Sequence, residues 1–194
     1  MGTSGGVSPD LRPGTLAITD FAVGLDSTGL YYDLPASDLA IVELEDLVLT
    51  RLDAAIELSC RFKGKIFPYA SRASAIMTRE LSKQSELWDV QAPLGITASV
   101  SGFYGPSGRY LEGLSNSISN IKQVLSEIEF EGLKVLNMEM ESSLVFHLCS
   151  HLGIQVATIC PVISATADQF EPIDYHNQID QAIDIALSAL RELS

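Results

Sequence analysis

Four apolar runs rich in β-branched residues divide the sequence: GTLAITDFAVG (14–24), GITASVSGF (95–103), LKVLNMEM (133–140) and IQVATICPVIS (154–164). Each reads as a strand. The last is apolar enough for a central position, with Pro161 expected at its end or at a bulge because proline cannot donate to a ladder. Segments at helical spacing alternate with them. SDLAIVELEDLVLTRLDAAIEL (37–58) predicts one long helix or two short ones, with Ser37 or Asp38 as N-cap. SRASAIMTRELSKQSE (71–86), SISNIKQVLSEIEFEG (117–132, stopped by Gly132), ESSLVFHLCSHLG (141–153, ended by Gly153) and DYHNQIDQAIDIALSALREL (174–193) predict four more. This alternation predicts a single α/β domain over residues 1–194 with a largely covered sheet.

A chain of 194 residues with 46% apolar content can bury a real core. It holds no uncharged apolar run of roughly eighteen residues, so no membrane-spanning helix is expected. MGTSGGVSPD lacks the basic and apolar regions of a signal peptide, and Gly6 stands where a myristoylation signal wants Ser or Thr. The three cysteines, Cys60, Cys149 and Cys160, are odd in number and lie in apolar stretches. Buried reduced thiols in a cytoplasmic protein are the plain reading. A formal net charge of −13 argues against nucleic acid and anionic membranes as partners. It also sits awkwardly with phosphate binding.

Four stretches are candidates for chemistry. GTSGG (2–6) is a glycine-rich turn whose backbone N–H groups, with the Thr3 and Ser4 hydroxyls, suit an anion; a frayed terminus is the alternative. Such turns usually follow a strand, so the chain is expected to begin inside a fold. SGFYGPSGRY (101–110) displays Phe103, Tyr104 and Arg109 on a turn stiffened by three glycines and a proline. It suits stacking and hydrogen bonding to a flat heterocycle, or is a hairpin turn with a solvated arginine. In NMEMESS, Glu139 and Glu141 are two apart and would share a strand face. They can accept from sugar hydroxyls; alternatively Glu141 sits at a helix N-terminus, stabilised by the helix dipole. A retaining-glycosidase pair needs carboxylates on opposite sides of a bond, which neighbours on one strand do not provide. His147 and His151 in HLCSH share a helix face, but this is not HExxH and no further ligand follows at zinc spacing. No nucleophile elbow supports an α/β-hydrolase reading.

Taken together, GTSGGVSPDLRPGTLAIT, GFYGPSGRYL and NMEMESS, in this order, resemble the uridine phosphorylase branch of the nucleoside phosphorylases. The resemblance runs from Gly2 to about Thr166, and the last helix also fits. It implies a mixed central β-sheet flanked by helices. It implies cleavage of a pyrimidine nucleoside by inorganic phosphate, as co-substrate, to free base and ribose 1-phosphate, with no metal or organic cofactor. The residues it implies are Thr3 for phosphate, Ser4 and Gly5 in the base pocket, Phe103 on the base and Arg109 on a base carbonyl. Met140 would pack on the ribose, Glu141 would accept from its 2′-hydroxyl, and Glu139 would assist near the sugar. The family's dimers and hexamers imply a homo-oligomer.

The sequence departs from the family's pattern at several points. Ser107 replaces a glutamine that reads two edges of uracil, and Ser164–Ala165 stands where the family has Asn-Arg. No Asp marks a purine-specific relative there. The family's first strands and phosphate-binding arginines lie upstream of the glycine turn and are not in this sequence. One edge or face of the sheet is therefore expected to be open to another chain. Weak turnover, or a non-catalytic binding or partner subunit, is the alternative function.

Overall fold

The structure is a computed structural model that describes residues 2–36, 38–164 and 175–194. Its strands are β1 (Ser4–Gly6), β2 (Leu16–Gly24), β3 (Tyr69–Arg72), β4 (Leu94–Ser99), β5 (Glu129–Phe130), β6 (Leu133–Glu139) and β7 (Thr158–Ser164). Its helices are α1 (Leu39–Ala55), α2 (Ala75–Leu87), α3 (Ile121–Ser126), α4 (Ser142–His151) and α5 (His176–Leu193). Ala165, expected to matter by its family position, lies outside the described residues, as does Ser37.

The apolar runs form the centre. All nine residues of β2 are buried, as a strand covered on both faces requires. On one edge β2 pairs with β4 in parallel. On its other edge two strands share it: Leu16–Thr19 pairs antiparallel with β7, and Phe21–Gly24 pairs antiparallel with β3. The change of partner falls at Asp20, where the β2–β4 register also shifts. Leu16 and Ile18 pack with Leu81 of α2 and with Ala182, Ile185 and Ala189 of α5. Phe21 and Val23 pack with Ile41, Leu44, Val48 and Leu52 of α1 and with Leu125 of α3.

Among the described residues the central strands close into a ring through β1. β1 pairs antiparallel with β6 and parallel with β7, which completes the circuit β1–β7–β2–β4–β6. This short strand fills the gap between β6 and β7, while among the described residues β3 pairs with β2 alone; the reading of GTSGG as a turn or frayed end is corrected. Glycines at β1 let its backbone lie between two strands; a Cβ on Gly5 would come within 3.1 Å of Ser164 Oγ.

Inside the circuit a polar ladder crosses every strand. Thr97 Oγ1 donates to Asn137 Oδ1 at 2.7 Å, so the 2.7 Å contact between Thr19 and Thr97 must be donated by Thr19. Asn137 Nδ2 donates to Ser4 Oγ at 2.8 Å, and Ser4 donates to the Pro161 carbonyl at 3.3 Å. All four side chains are buried, and each finds a partner.

Three other expectations change. Of the helix expected over 71–86, Ser71 and Arg72 are strand, because Tyr69–Arg72 finds a ladder on β2; the helix begins at Ala75. The helix expected over 117–132 is confined to Ile121–Ser126. Beyond it the chain makes a hairpin, with Glu131 (φ 49°) and Gly132 (φ 76°) at its two-residue turn. Both residues take left-handed backbone, as a type I′ connection demands, so Gly132 turns a hairpin rather than ending a helix. Pro161 sits within β7 opposite Leu16, not at its end; the register irregularity falls just beyond, opposite β1. The Asp38 cap does form: its carboxylate accepts from the Ile41 N–H at 3.1 Å.

Candidate active site

β4 and β6 run parallel, so their carboxyl ends lie together, where open α/β sheets place their ligands. A cavity of about 230 Å³ opens there. β1 and the end of β7 contribute Thr3, Ser4, Gly5, Ile163 and Ser164; the turn after β4 contributes Gly102, Phe103, Ser107 and Arg109. Met138, Glu139 and Met140 come from the end of β6, and Lys122 from α3. Eight of the nine expected site residues thus meet at one cavity; the ninth, Glu141, is not on its described wall.

The two glutamates have parted. β6 ends at Glu139, so the pair does not share a strand face. Glu139 is buried and saturated. Its Oε1 accepts from Ser99 Oγ at 2.5 Å. Its Oε2 accepts from the Glu141 and Ser142 N–H groups at 3.0 and 2.9 Å and from Ser142 Oγ at 3.0 Å. A carboxylate set against two N–H groups at the start of α4 is stabilised by the helix dipole and caps the helix. Glu141 thus stands at the helix N-terminus as expected, while the cap bonds are made by Glu139. Glu141 occupies the N-cap position, is exposed, and makes no side-chain cap bond. Ser99 links this cluster onward, accepting from the Ser143 N–H at 3.0 Å.

The turn after β4 is wound around its arginine. Gly105–Ser107 forms one helical turn, closed by Gly108 in left-handed backbone at φ 77°. The Arg109 guanidinium lies 3.8 Å from the centre of the Phe103 ring. Its Nη1 donates to the Phe103 carbonyl and to Ser107 Oγ, both at 2.9 Å. Ser107 is buried and donates back to the Phe103 and Tyr104 carbonyls. Its hydroxyl thus fastens the turn. Phe103 remains 54% exposed and Met140 44%, so apolar surface is left for a ligand to cover.

Elsewhere, Cys160 is buried beside this site, and burial pushes its thiol up to about 11, which keeps it neutral and unreactive. His147 packs edge-on against Tyr69 at 5.4 Å and meets Ser71 Oγ through Nδ1 at 3.3 Å. Among the described residues no group of three or more His, Cys, Asp or Glu side chains is placed to hold a metal ion. No described helix is long and apolar enough to cross a membrane. Lys122 and Ser164 were not singled out from sequence as ligand contacts. Lys122 reads there as one of several polar residues in a helical stretch, and only the fold turns it to the cavity.

A cavity at the carboxyl ends of parallel strands, with an aromatic-arginine turn on one side and a carboxylate cluster on another, is the candidate small-molecule site of an α/β protein. Comparison with known proteins narrows this. The sequence profile of the family described as the phosphorylase superfamily matches residues 1–193, and the chain belongs to that family. It is 25% identical over 195 residues to the uridine phosphorylase of Haemophilus influenzae, covering all of this chain and 64% of that protein. The Escherichia coli uridine phosphorylase is 22% identical over the same span, again with 64% of its length covered. The Thermococcus kodakarensis uridine phosphorylase is 27% identical over 124 residues, covering 63% of this chain and 43% of that protein. In three dimensions the chain matches the crystal structure of a Trypanosoma brucei nucleoside phosphorylase described as showing uridine phosphorylase activity. The TM-score is 0.85 at 26% identity, over 98% of this chain and 62% of that one. The chain therefore spans about 64% of the length of the first curated relative it matches.

Proposed function

We propose that this chain carries the nucleoside site of a uridine phosphorylase-type enzyme. One observation carries the reading: the glycine strand, the Phe103–Arg109 turn and the Glu139–Met140 corner, far apart in sequence, meet at one cavity. In the reaction, an oxygen of hydrogen phosphate bonds to C1′ of uridine. The C1′–N1 bond breaks, its electron pair leaves with the base, and the phosphate's proton ends on uracil. Such a reaction passes through an oxocarbenium-like state, so the protein's work is positioning and electrostatics. In this reading Thr3 contacts phosphate, Phe103 and Arg109 hold the base beside Ser4, Gly5 and Ser107, and Met140 packs on the ribose. Glu141 accepts from the 2′-hydroxyl, and Glu139 fixes the corner from which it does so. Neither metal nor organic cofactor enters. A homo-oligomer fits the exposed apolar residues Leu30, Tyr31 and Leu39.

A second reading, a nucleoside-binding homologue or partner subunit without turnover, is favoured by Ser107. Its hydroxyl hydrogen is given to the turn and is not offered as a donor to uracil. The test is uracil release from uridine by the purified chain, with and without phosphate, beside uridine binding by calorimetry. Slow, phosphate-dependent release is expected. Binding without release would select the second reading, and neither binding nor release would overturn both.

A further inference from the structure

The turn that carries Phe103 and Arg109 has a second face. Behind it lies another cavity, of about 430 Å³, within the size range of small-molecule sites. Its floor is apolar: Leu52, Ile118 and Ile121 belong to the core beneath the turn, and Ile66 packs against that core. Its other walls carry the hydroxyls of Ser27, Ser115 and Ser117 and the Asn116 amide. Among the described lining residues Lys65 is the one charged side chain and none is acidic. The Lys65 ammonium has no hydrogen-bond or ion-pair partner among the described residues.

The two cavities share the turn. Gly102, Phe103, Ser107 and Arg109 line the first, Ser101, Gly105 and Pro106 the second, and Val100 borders both. Asn116 joins them: it lines the second cavity, and its Nδ2 donates at 3.2 Å to the carbonyl of Arg109.

We infer that this second cavity is an effector site for a small monocarboxylate with an apolar body, and that its occupant acts on the first cavity through Asn116 and the turn. The site itself stands apart from the nucleoside-site reading; only its effect on uridine rests on that reading. The apolar floor takes the body of the ligand. Lys65, with the hydroxyls, takes the carboxylate in a charge-assisted pairing. Two features narrow the class. A compact anion such as phosphate leaves the floor uncovered. A net charge of −13 disfavours a multiply charged ligand, which one ammonium does not offset. Coupling of this kind is reciprocal: a ligand that shifts the Arg109 end of the turn changes uridine affinity by the same factor by which uridine changes its own.

The test is calorimetry of benzoate, its neutral analogue benzyl alcohol and inorganic phosphate against the wild-type chain, Lys65→Met and Lys65→Arg. Circular dichroism verifies folding, and amide resonances follow the turn. Benzoate is expected to bind. Lys65→Met should lose about tenfold in benzoate affinity, the scale of one charge-assisted hydrogen bond, and keep its affinity for benzyl alcohol. Lys65→Arg should restore most of the loss. Benzoate should shift the amide resonances of residues 105–109 and change uridine affinity about fivefold or more without displacing uridine. Asn116→Ala should break that link while both ligands still bind. Benzoate binding that is absent, or that Lys65→Met leaves unchanged, would overturn the site. Phosphate binding that is lost in Lys65→Met would overturn the ligand class. Turn resonances unmoved by bound benzoate would overturn the coupling. If they move and uridine does not bind, the nucleoside reading falls and the effector site stands.

Discussion

The two walls of the cavity are built on different principles. The β1–β6 wall is welded into the closed sheet: Ser4 and Asn137 bond each other and their neighbours inside the ladder, and Glu139 accepts four hydrogen bonds. The Phe103–Arg109 wall is a partly exposed surface turn held in shape by one arginine and one serine. A fixed wall determines where a ligand lies, and a separately folded turn determines which ligand is accepted. Changes in the turn can thus alter preference without cost to the core, whereas changes in the ladder cost the fold itself.

This contrast can be broken at several points, the largest effect first. Asn137→Ala strips the ladder of an acceptor and a donor at once, leaving the buried Thr97 hydroxyl without its acceptor and Ser4 Oγ without its donor. It should destabilise the protein by about 3 kcal/mol in urea unfolding; a loss below about 1 kcal/mol would show that the wall is not welded by this ladder. Glu139→Gln keeps the shape but sets an NH₂ group against donors. A cost of about 1–2 kcal/mol is expected, with fraying of α4 visible by amide exchange. Ser107→Ala should barely move stability, by about 0.5–1 kcal/mol, yet loosen Arg109 and weaken uridine binding. A large stability loss there would erase the distinction between the walls.

The smallest effect is a pH dependence away from the cavity. Burial holds the His147 imidazole below its usual pKa, with the nearby His151 charge lowering it further and the Tyr32 backbone opposing. The folded state thus favours neutral His147, and its contribution is present above the unfolded value of about 6.5 and lost as pH falls through the folded one. Stability should decline on acidification below pH 6.5, and His147→Gln should flatten that slope. An unchanged slope in the variant would assign the acid sensitivity to other groups. Glu45 is the group to compare: burial raises its pKa, partly offset by the Ala70 N–H, so its contribution erodes as pH rises instead.

What the sequence made legible follows from how locally each feature is determined. The apolar runs at β2, β4, β6 and β7 and the helices α1, α4 and α5 carry their own periodicity and form the expected element types, with β4 ending at Ser99 and β7 starting at Thr158, short of the runs read for them. β3 is different. Tyr69–Arg72 has the composition of a helix entry and becomes a strand only because the second half of β2 offers an unpaired edge. The Glu131–Gly132 hairpin was masked by a helical spacing that tertiary pairing overrode. Glycines at β1 read as a turn because nothing local says that two distant strands leave a gap between them. At the site the residue types were legible and the roles less so. Glu139 drew attention as a buried carboxylate, yet that it caps α4 depends on where β6 stops. Lys122 carried no local signal.

Closing the sheet through β1 has a kinetic consequence. Ser4 bonds Pro161 across 157 residues of chain and is bonded by Asn137 across 133. Contacts of such sequence separation carry a loop-closure cost, and a strand of three residues has few other contacts to offset it, so β1 is expected to dock late in folding. The part of the cavity wall that β1 supplies would then form last, and the amides of Gly5 and Gly6 should gain protection later than those of β2 and β4 in a pulse-labelled refolding experiment.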